Sequence, residues 1–278
     1  MTVLVTGGTG KTGSRIAQRL IALDQDVRVA SRSNSAFKGA QSVQFDWYDD
    51  RTFAEAVEGV QSVYLLAPAN EPEPLEAMKP FIDYMLAYGV KRFVLLSASS
   101  LPKGGVMMGA VHAYLEDVAP EWAVLRPTWF MQNFSEQQHL YTINDDCCFY
   151  SATGDGRVPF IDVNDIANVA VEALISDEAL NRDLILTGPR ALTYDEVAMI
   201  ISKVSGKQIM HVKLSESALI ERFEHNGMAQ IYAQALAKMD TGISQGSENN
   251  VTNEVANLTQ IAPNSFDVFA QSVAKVWQ

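Results

Sequence analysis

Cysteine is nearly missing from this chain: 278 residues contain two, and those two, Cys147 and Cys148, are neighbours. Adjacent cysteines rarely close on each other, which excludes a disulfide framework and any need for an oxidising compartment. The pair reads as two buried free thiols, with a redox pair as the alternative. Basic charge is also scarce, 21 Lys and Arg against 33 Asp and Glu, for a formal net charge of −12. A surface of that sign repels phosphate backbones and anionic headgroups, which argues against nucleic acid and membrane as partners. No apolar run reaches the roughly 18 residues that a membrane span needs. Residues 1–4 leave no room for a basic and then apolar leader before the first glycines, so a soluble, cytoplasmic protein is expected. There is no internal repeat, heptad array or low-complexity tract, and no metal site is expected. The most polar stretch, SQGSENNVTNEVAN at 244–257, reads as an exposed loop or a mobile segment that could serve as a lid.

What is present is a regular alternation. Short β-branched runs at 2–7, 26–31, 43–47, 62–68, 92–99 and 122–128 predict strands, and helical spacing fills the gaps at 14–23, 50–59 and 74–89. That alternation is the signature of a parallel sheet covered on both faces. Further on, 157–176 contains an apolar helix entered through an Asp-x-x-Asp, with Asp162 or Asn164 as its cap, and 183–188 is a strand. The helix at 193–206 carries a capping box, Thr193 to Glu196; a strand at 209–214 and helices at 215–227 and 265–277 follow. The expected fold is α/β, a doubly wound parallel sheet with a smaller carboxyl-terminal α+β substrate lobe. Residues 1–150 form the dinucleotide-binding domain, with 157–180 returning to it, and 181–278 form the lobe.

The stretch VTGGTGKTG, residues 5–13, places Gly7, Gly10 and Gly13 directly after the first strand and at the opening of an amphipathic helix. In that context the glycines form a dinucleotide-binding turn: Gly7 for the tight turn, Gly10 for approach of a pyrophosphate, Gly13 for close packing of helix on strand. Thr9, Lys11 and Thr12 belong to the same turn, whose amides sit at the positive end of the helix dipole. The spacing is not that of a P-loop, so Lys11 is not a phosphate-gripping lysine of that type. At the end of the second strand stand Ser31 and Arg32, in ASRSNS at 30–35, with no carboxylate. A basic residue there accepts a ribose 2′-phosphate, so NADP(H) is preferred and NAD(H) remains an option; the alternative is that Arg32 is an ordinary solvated arginine. Asp46 and Trp47 are placed to flank an adenine, or else are a surface Asp and a core Trp. Ala67, Pro68 and Ala69 after the fourth strand, and Ser97 after the fifth, leave space for a cofactor on the carboxyl edge of the sheet.

The T-G-x-x-G-x-x-G run at 6–13, Arg32, LRPTWFMQNF at 125–134 and FIDVNDIANVAVEAL at 160–174 together resemble the NmrA-like branch of the atypical short-chain dehydrogenase/reductases. Within that branch they are most similar to the ergot-alkaloid reductases of the agroclavine and festuclavine dehydrogenase type and their bacterial relatives. The resemblance implies an NADP-binding Rossmann domain with a small lobe closing a substrate cleft. Typical members of the wider superfamily use Tyr-x-x-x-Lys, in which the lysine lowers the tyrosine pKa. Here Tyr114 is followed four residues on by Val118, so that lysine is missing. His112, beside Tyr114 and Glu116, resembles the His of quinone-reductase relatives, and His112 and Tyr114 are the catalytic candidates, with carbonyl satisfaction and core packing as their alternatives. Thr128, Trp129 and Phe130 are expected to line the nicotinamide end and a flat apolar or cationic substrate.

Two functions follow from these expectations. One is an NADPH-dependent reductase transferring hydride to an electron-poor small molecule such as a quinone, enone or iminium. The other is a non-catalytic NADP(H)-binding redox sensor of the NmrA type. The oligomeric state is not legible from the sequence.

Overall fold

A computed structural model describes residues 1–33, 36–136 and 138–278 of the chain. Up to Pro127 it alternates as the sequence predicts: β1 (Thr2–Thr6), α1 (Lys11–Ala22), β2 (Asp26–Ser31), β3 (Gln41–Gln44), α2 (Phe53–Val57), β4 (Val60–Leu65), α3 (Pro74–Ala87), β5 (Arg92–Leu96), α4 (Met108–Val118) and β6 (Glu121–Pro127). There follow α5 (Leu140–Asp146), β7 (Cys148–Ser151), β8 (Arg157–Val158), α6 (Val163–Ile175), β9 (Arg182–Leu186), β10 (Leu192–Thr193), α7 (Tyr194–Ser205) and β11 (Met210–Lys213). The chain ends with α8 (Glu216–His225), α9 (Gln230–Ser244), α10 (Glu254–Thr259) and α11 (Phe266–Val273).

Two units form. The first comprises 1–127, 163–185 and 257–260; the second comprises 128–162, 186–256 and 261–278. The first unit therefore ends its opening run at Pro127, not at the expected 150, and 157–162 belong to the second unit. The physical reason lies just past β6, where the Thr128 amide donates to Leu186 O at 2.9 Å and the Thr128 hydroxyl to Pro159 O at 2.7 Å.

In the first unit the strands run in the order β3-β2-β1-β4-β5-β6-β9, with parallel pairing along the ladder from β3 to β6. This is a Rossmann-type doubly wound sheet, whose order reverses between β1 and β4, the switch point where such sheets bind ligands. Side chains alternate across each strand, so both faces are apolar. Leu4, Val63, Leu65, Phe93 and Leu95 join one buried layer with Phe45, Phe53, Phe81 and Met85. On α1, Ile16, Ala17 and Leu20 make the buried stripe, and the Arg19 guanidinium ties the helix to α6 through Asn168 at 2.7 Å and Asn164 at 3.0 Å. With α6 opening at Val163, Asp162 occupies the cap position, and Asn164 lies inside the helix as an acceptor for Arg19.

The second unit has its own core, built on Phe134, Phe149, Phe160, Tyr194, Phe266, Phe269 and Trp277. Trp277 is fully buried and its indole N–H donates to Phe134 O at 2.7 Å. The capping box on α7 forms as predicted. The stretch 244–257 links α9 to α10 and is mostly exposed, as expected, with a few anchors: Glu248 is 4% exposed, Val255 is buried at the start of α10, and the Thr252 amide donates to the Thr187 hydroxyl at 3.0 Å.

This core also holds a carboxyl, Asp240, whose Oδ2 accepts the Ala152 amide at 3.0 Å. Burial pushes its pKa up to about 7, overriding the lowering by that hydrogen bond. A raised folded value favours the protonated form, so this group's contribution to stability is fully present below about pH 4 and is lost as pH rises through about 7. Thermal melts across that window are expected to show a declining midpoint in the parent, and Asp240→Asn is expected to flatten the decline; an unchanged slope in the variant would contradict the assignment.

Candidate functional site

The carboxyl ends of β1, β2, β3 and β4 enclose a cleft of about 350 Å³ at the switch point. Its wall includes Gly7, Thr9, Gly10, Ser31, Arg32, Asp46, Trp47, Ala67, Pro68 and Ala69, all singled out from sequence. Asn34 and Ser35, the end of the ASRSNS stretch, lie outside the described residues. Thr6 sets the two central loops: its hydroxyl donates to Tyr64 O at 2.9 Å and accepts the Leu66 amide at 2.8 Å, so the β1 turn and the 66–69 segment are held side by side. Gly7 sits at φ +60°, where L side chains are strained, and a Cβ there would lie 2.4 Å from Leu66 Cδ2. A Cβ on Gly13 would lie 2.4 Å from Gly7 O, so that residue permits the close seating of α1 on the turn.

Lys11 and Thr12 open α1 and are not part of the cleft wall. The Thr12 side chain turns inward, accepting the Tyr64 hydroxyl at 2.9 Å. Full burial drives the pKa of that hydroxyl well above its ordinary value. Ser97 follows β5, its amide donating to Leu125 O at 2.7 Å. Tyr48 was missed. It lines the cleft, is exposed, and donates its hydroxyl to Glu71 Oε2 at 2.5 Å, bridging the segments after β3 and β4. The signal was an aromatic pair, Trp47-Tyr48, where only the first member was read.

Several features fit a dinucleotide with a 2′-phosphate. The first-turn amides of α1 point out of the helix without intrahelical acceptors, the cap residue Gly10 carries no side chain to meet them, and no acidic residue stands in that turn. The Ser31 hydroxyl is buried with no hydrogen-bond partner. Arg32 is exposed and has no ion-pair partner among the described residues.

The NmrA-like family model matches residues 1–270. The chain belongs to the NmrA-like family. An uncharacterized oxidoreductase of Bacillus subtilis, YesF, is 42% identical over 275 residues, covering 99% of this chain and 96% of that protein. Agroclavine dehydrogenase of Claviceps purpurea is 42% identical over 287 residues, covering 100% and 99% respectively. Among solved structures, the NADPH complex of the Escherichia coli NADPH-dependent quinone oxidoreductase superposes with a TM-score of 0.83 at 22% identity, over 99% of this chain and 100% of that one.

In this NmrA-like chain the two catalytic candidates do not line the cleft. The Tyr114 hydroxyl accepts from Lys79 Nζ at 2.7 Å and donates to Asp83, both on α3. Burial and the Asp83 hydrogen bond hold it above the ordinary tyrosine value, the reverse of what a lysine-activated tyrosine needs. His112 is buried against Trp122, with ring centroids 5.7 Å apart, and lines a separate cavity formed with the starts of β6 and β9. Thr128 is a backbone tie, its hydroxyl committed to Pro159 O. Trp129 packs on the aromatic core of the second unit, and Phe130 pairs with Ile161 in an isolated parallel bridge.

One other constellation invites a catalytic reading. Ser151 Oγ lies 2.7 Å from His211 Nε2, and His211 Nδ1 lies 2.9 Å from Asp195 Oδ1, the order of contacts in an acyl-transfer triad. Ser151 is only 1% exposed and the His211 side chain is fully buried, so the hydroxyl cannot meet a substrate carbonyl. The network instead pins β7, β11 and α7 together. No helix among the described residues is long and apolar enough to cross a membrane.

Proposed function

We propose that the chain binds NADP(H) in the cleft at the β1–β4 switch point and acts as a reductase, passing hydride to an electron-poor small molecule of the quinone, enone or iminium class. The observation that carries the reading is the composition of the cleft wall: a glycine turn under a helix start whose cap residue is Gly10, Arg32 at the end of β2, and no carboxylate on β2's last residues. The first-turn amides of α1 would hold the pyrophosphate, Arg32 and Ser31 the 2′-phosphate, and Asp46, Trp47 and Tyr48 the adenine. The names of the relatives, a dehydrogenase and an NADPH-dependent quinone oxidoreductase, support the same class.

NADPH, when bound, supplies the hydride; the protein supplies binding and orientation. With neither His112 nor Tyr114 in the cleft wall, acceptors that need no protonation before hydride arrives are favoured, an iminium most of all. That same observation supports a second reading, a sensor that distinguishes NADP⁺ from NADPH without turning either over.

Following NADPH absorbance with representative quinones, enones and iminium salts is expected to show saturable oxidation with at least one class. Tight NADPH binding without oxidation of any class overturns the reductase. Calorimetric affinities for NADP⁺ and NADPH then decide the sensor, since equal affinities leave no free energy with which to sense.

A further inference from the structure

The cavity that holds His112 is separate from the cofactor cleft, and the two share no lining residue. It measures about 250 Å³ and is lined by Lys103, His112, Glu116, Trp122, Arg182 and Asp183, with the amino-terminal ends of β6 and β9 as its floor. Trp122 is held by a reciprocal pair of hydrogen bonds with Asn181, the Asn181 amide to Trp122 O at 2.9 Å and the Trp122 amide to Asn181 Oδ1 at 3.0 Å.

His112 is 2% exposed, yet its Nδ1 is buried without any partner and the ring makes no hydrogen bond. Burial holds its pKa below the ordinary histidine value, so the ring is neutral and carries one N–H. A buried N–H without an acceptor is rarer than a buried bare acceptor. The hydrogen therefore belongs on Nε2, the nitrogen not enclosed by protein, and the cavity receives a hydrogen-bond donor with nothing to donate to. Both carboxylates at the rim are already committed, Glu116 to Lys103 at 2.8 Å and Asp183 to Arg126 at 2.6 Å. A cationic guest offers the His112 N–H no acceptor; a carboxylate does, and it reaches the Lys103 ammonium by competing with Glu116 for it.

We propose that this cavity is a second ligand site, for a small planar carboxylate that accepts from His112 Nε2–H, lies against the Trp122 ring and meets the Lys103 ammonium at the rim. The proposal stands apart from the cofactor reading, because it uses none of that cleft's residues. It accounts for a histidine that resemblance marked as functional and that the fold places away from the switch point.

Benzoate is a suitable probe, with benzylammonium as its cationic counterpart. In protein labelled with ¹⁵N at histidine, millimolar benzoate is expected to shift the ring signals of His112 saturably while leaving His139, His211 and His225 in place. His112→Gln should weaken benzoate binding about tenfold or more, which corresponds to ~1.4 kcal/mol. Should that variant fail to fold, Lys103→Gln, at the exposed rim, is expected to weaken binding as well, and the unmodified protein still reports through the His112 signals. Absence of a saturable His112 shift, or equal binding of benzylammonium, overturns the proposal. Repeating the titration with NADPH present should leave the benzoate affinity measurable whether or not the cofactor reading holds.

Discussion

Gly10→Ala is expected to leave the unfolding midpoint of the free protein nearly unchanged and to weaken NADPH binding by about tenfold or more, whereas Gly13→Ala is expected to damage the fold itself. The asymmetry comes from what each added methyl meets. At Gly10 a Cβ finds only Gly7 O, at 3.2 Å, and the backbone there is extended, φ −82° and ψ −179°, which alanine adopts freely. The cost to the free protein is that of a poorer N-cap, less than ~1 kcal/mol, together with a give of a few tenths of an ångström at Gly7 O. The methyl instead occupies the wall of the cleft where a pyrophosphate approaches the helix start. At Gly13 a Cβ lies 2.4 Å from Gly7 O, 2.8 Å from Gly8 Cα and 2.9 Å from Gly7 C. All three neighbours are backbone of the turn and cannot swing aside, so overpacking costs ~1–3 kcal/mol or more. Denaturant unfolding of both variants, followed by calorimetric titration with NADPH, separates the two effects. Unchanged NADPH affinity in Gly10→Ala removes the pyrophosphate from this turn.

That contrast also shows which parts of the molecule the sequence discloses. The alternation from β1 to β6 is local: β-branched runs of five or six residues, helices with a buried stripe such as Ile16, Ala17 and Leu20, and turn residues between them. Because parallel strands in one sheet end on the same edge, naming the residue after each strand is enough to collect Gly7, Ser31, Arg32, Trp47 and Ala67 in one place. Strand three was drawn too late, at 43–47: it ends at Gln44, the Phe45 amide making one last bond to Ser31 O at 3.0 Å, and the Phe45 and Trp47 rings pack on Phe81.

The failures are tertiary. Both catalytic candidates sit on α4, but which of its faces meets β6 and β9 depends on strand order, and that phase is what carries His112 toward Trp122 and Tyr114 toward α3. α9 escaped because Ala233 and Ala237 make its buried face, and alanines give little periodic contrast. The polar stretch at 244–257 is solvent-facing as its composition indicates, and composition misses only its anchors, such as the buried Glu248.

Arg32→Glu is expected to weaken NADPH binding by about a hundredfold or more while leaving NADH binding little changed, so that the cofactor preference inverts. Hydrogen bonds to charged groups contribute ~1.5–3 kcal/mol each, and the substitution replaces attraction for a 2′-phosphate by repulsion at the same place. Arg32 is exposed, so the loss should shrink as salt is added, with a screening length of about 8 Å at physiological ionic strength. The fold is not at stake: Arg32 has no ion-pair partner among the described residues, and the melting temperature is expected to hold. Parallel titrations with NADPH and NADH at low and high salt distinguish the alternatives. If both affinities fall together, the charge acts on the whole cleft and not on the 2′-phosphate. If neither changes, the nucleotide does not reach the end of β2, and the preference for NADP(H) has to be sought elsewhere in the wall, with Asp46 the first residue to examine because it is the carboxylate there.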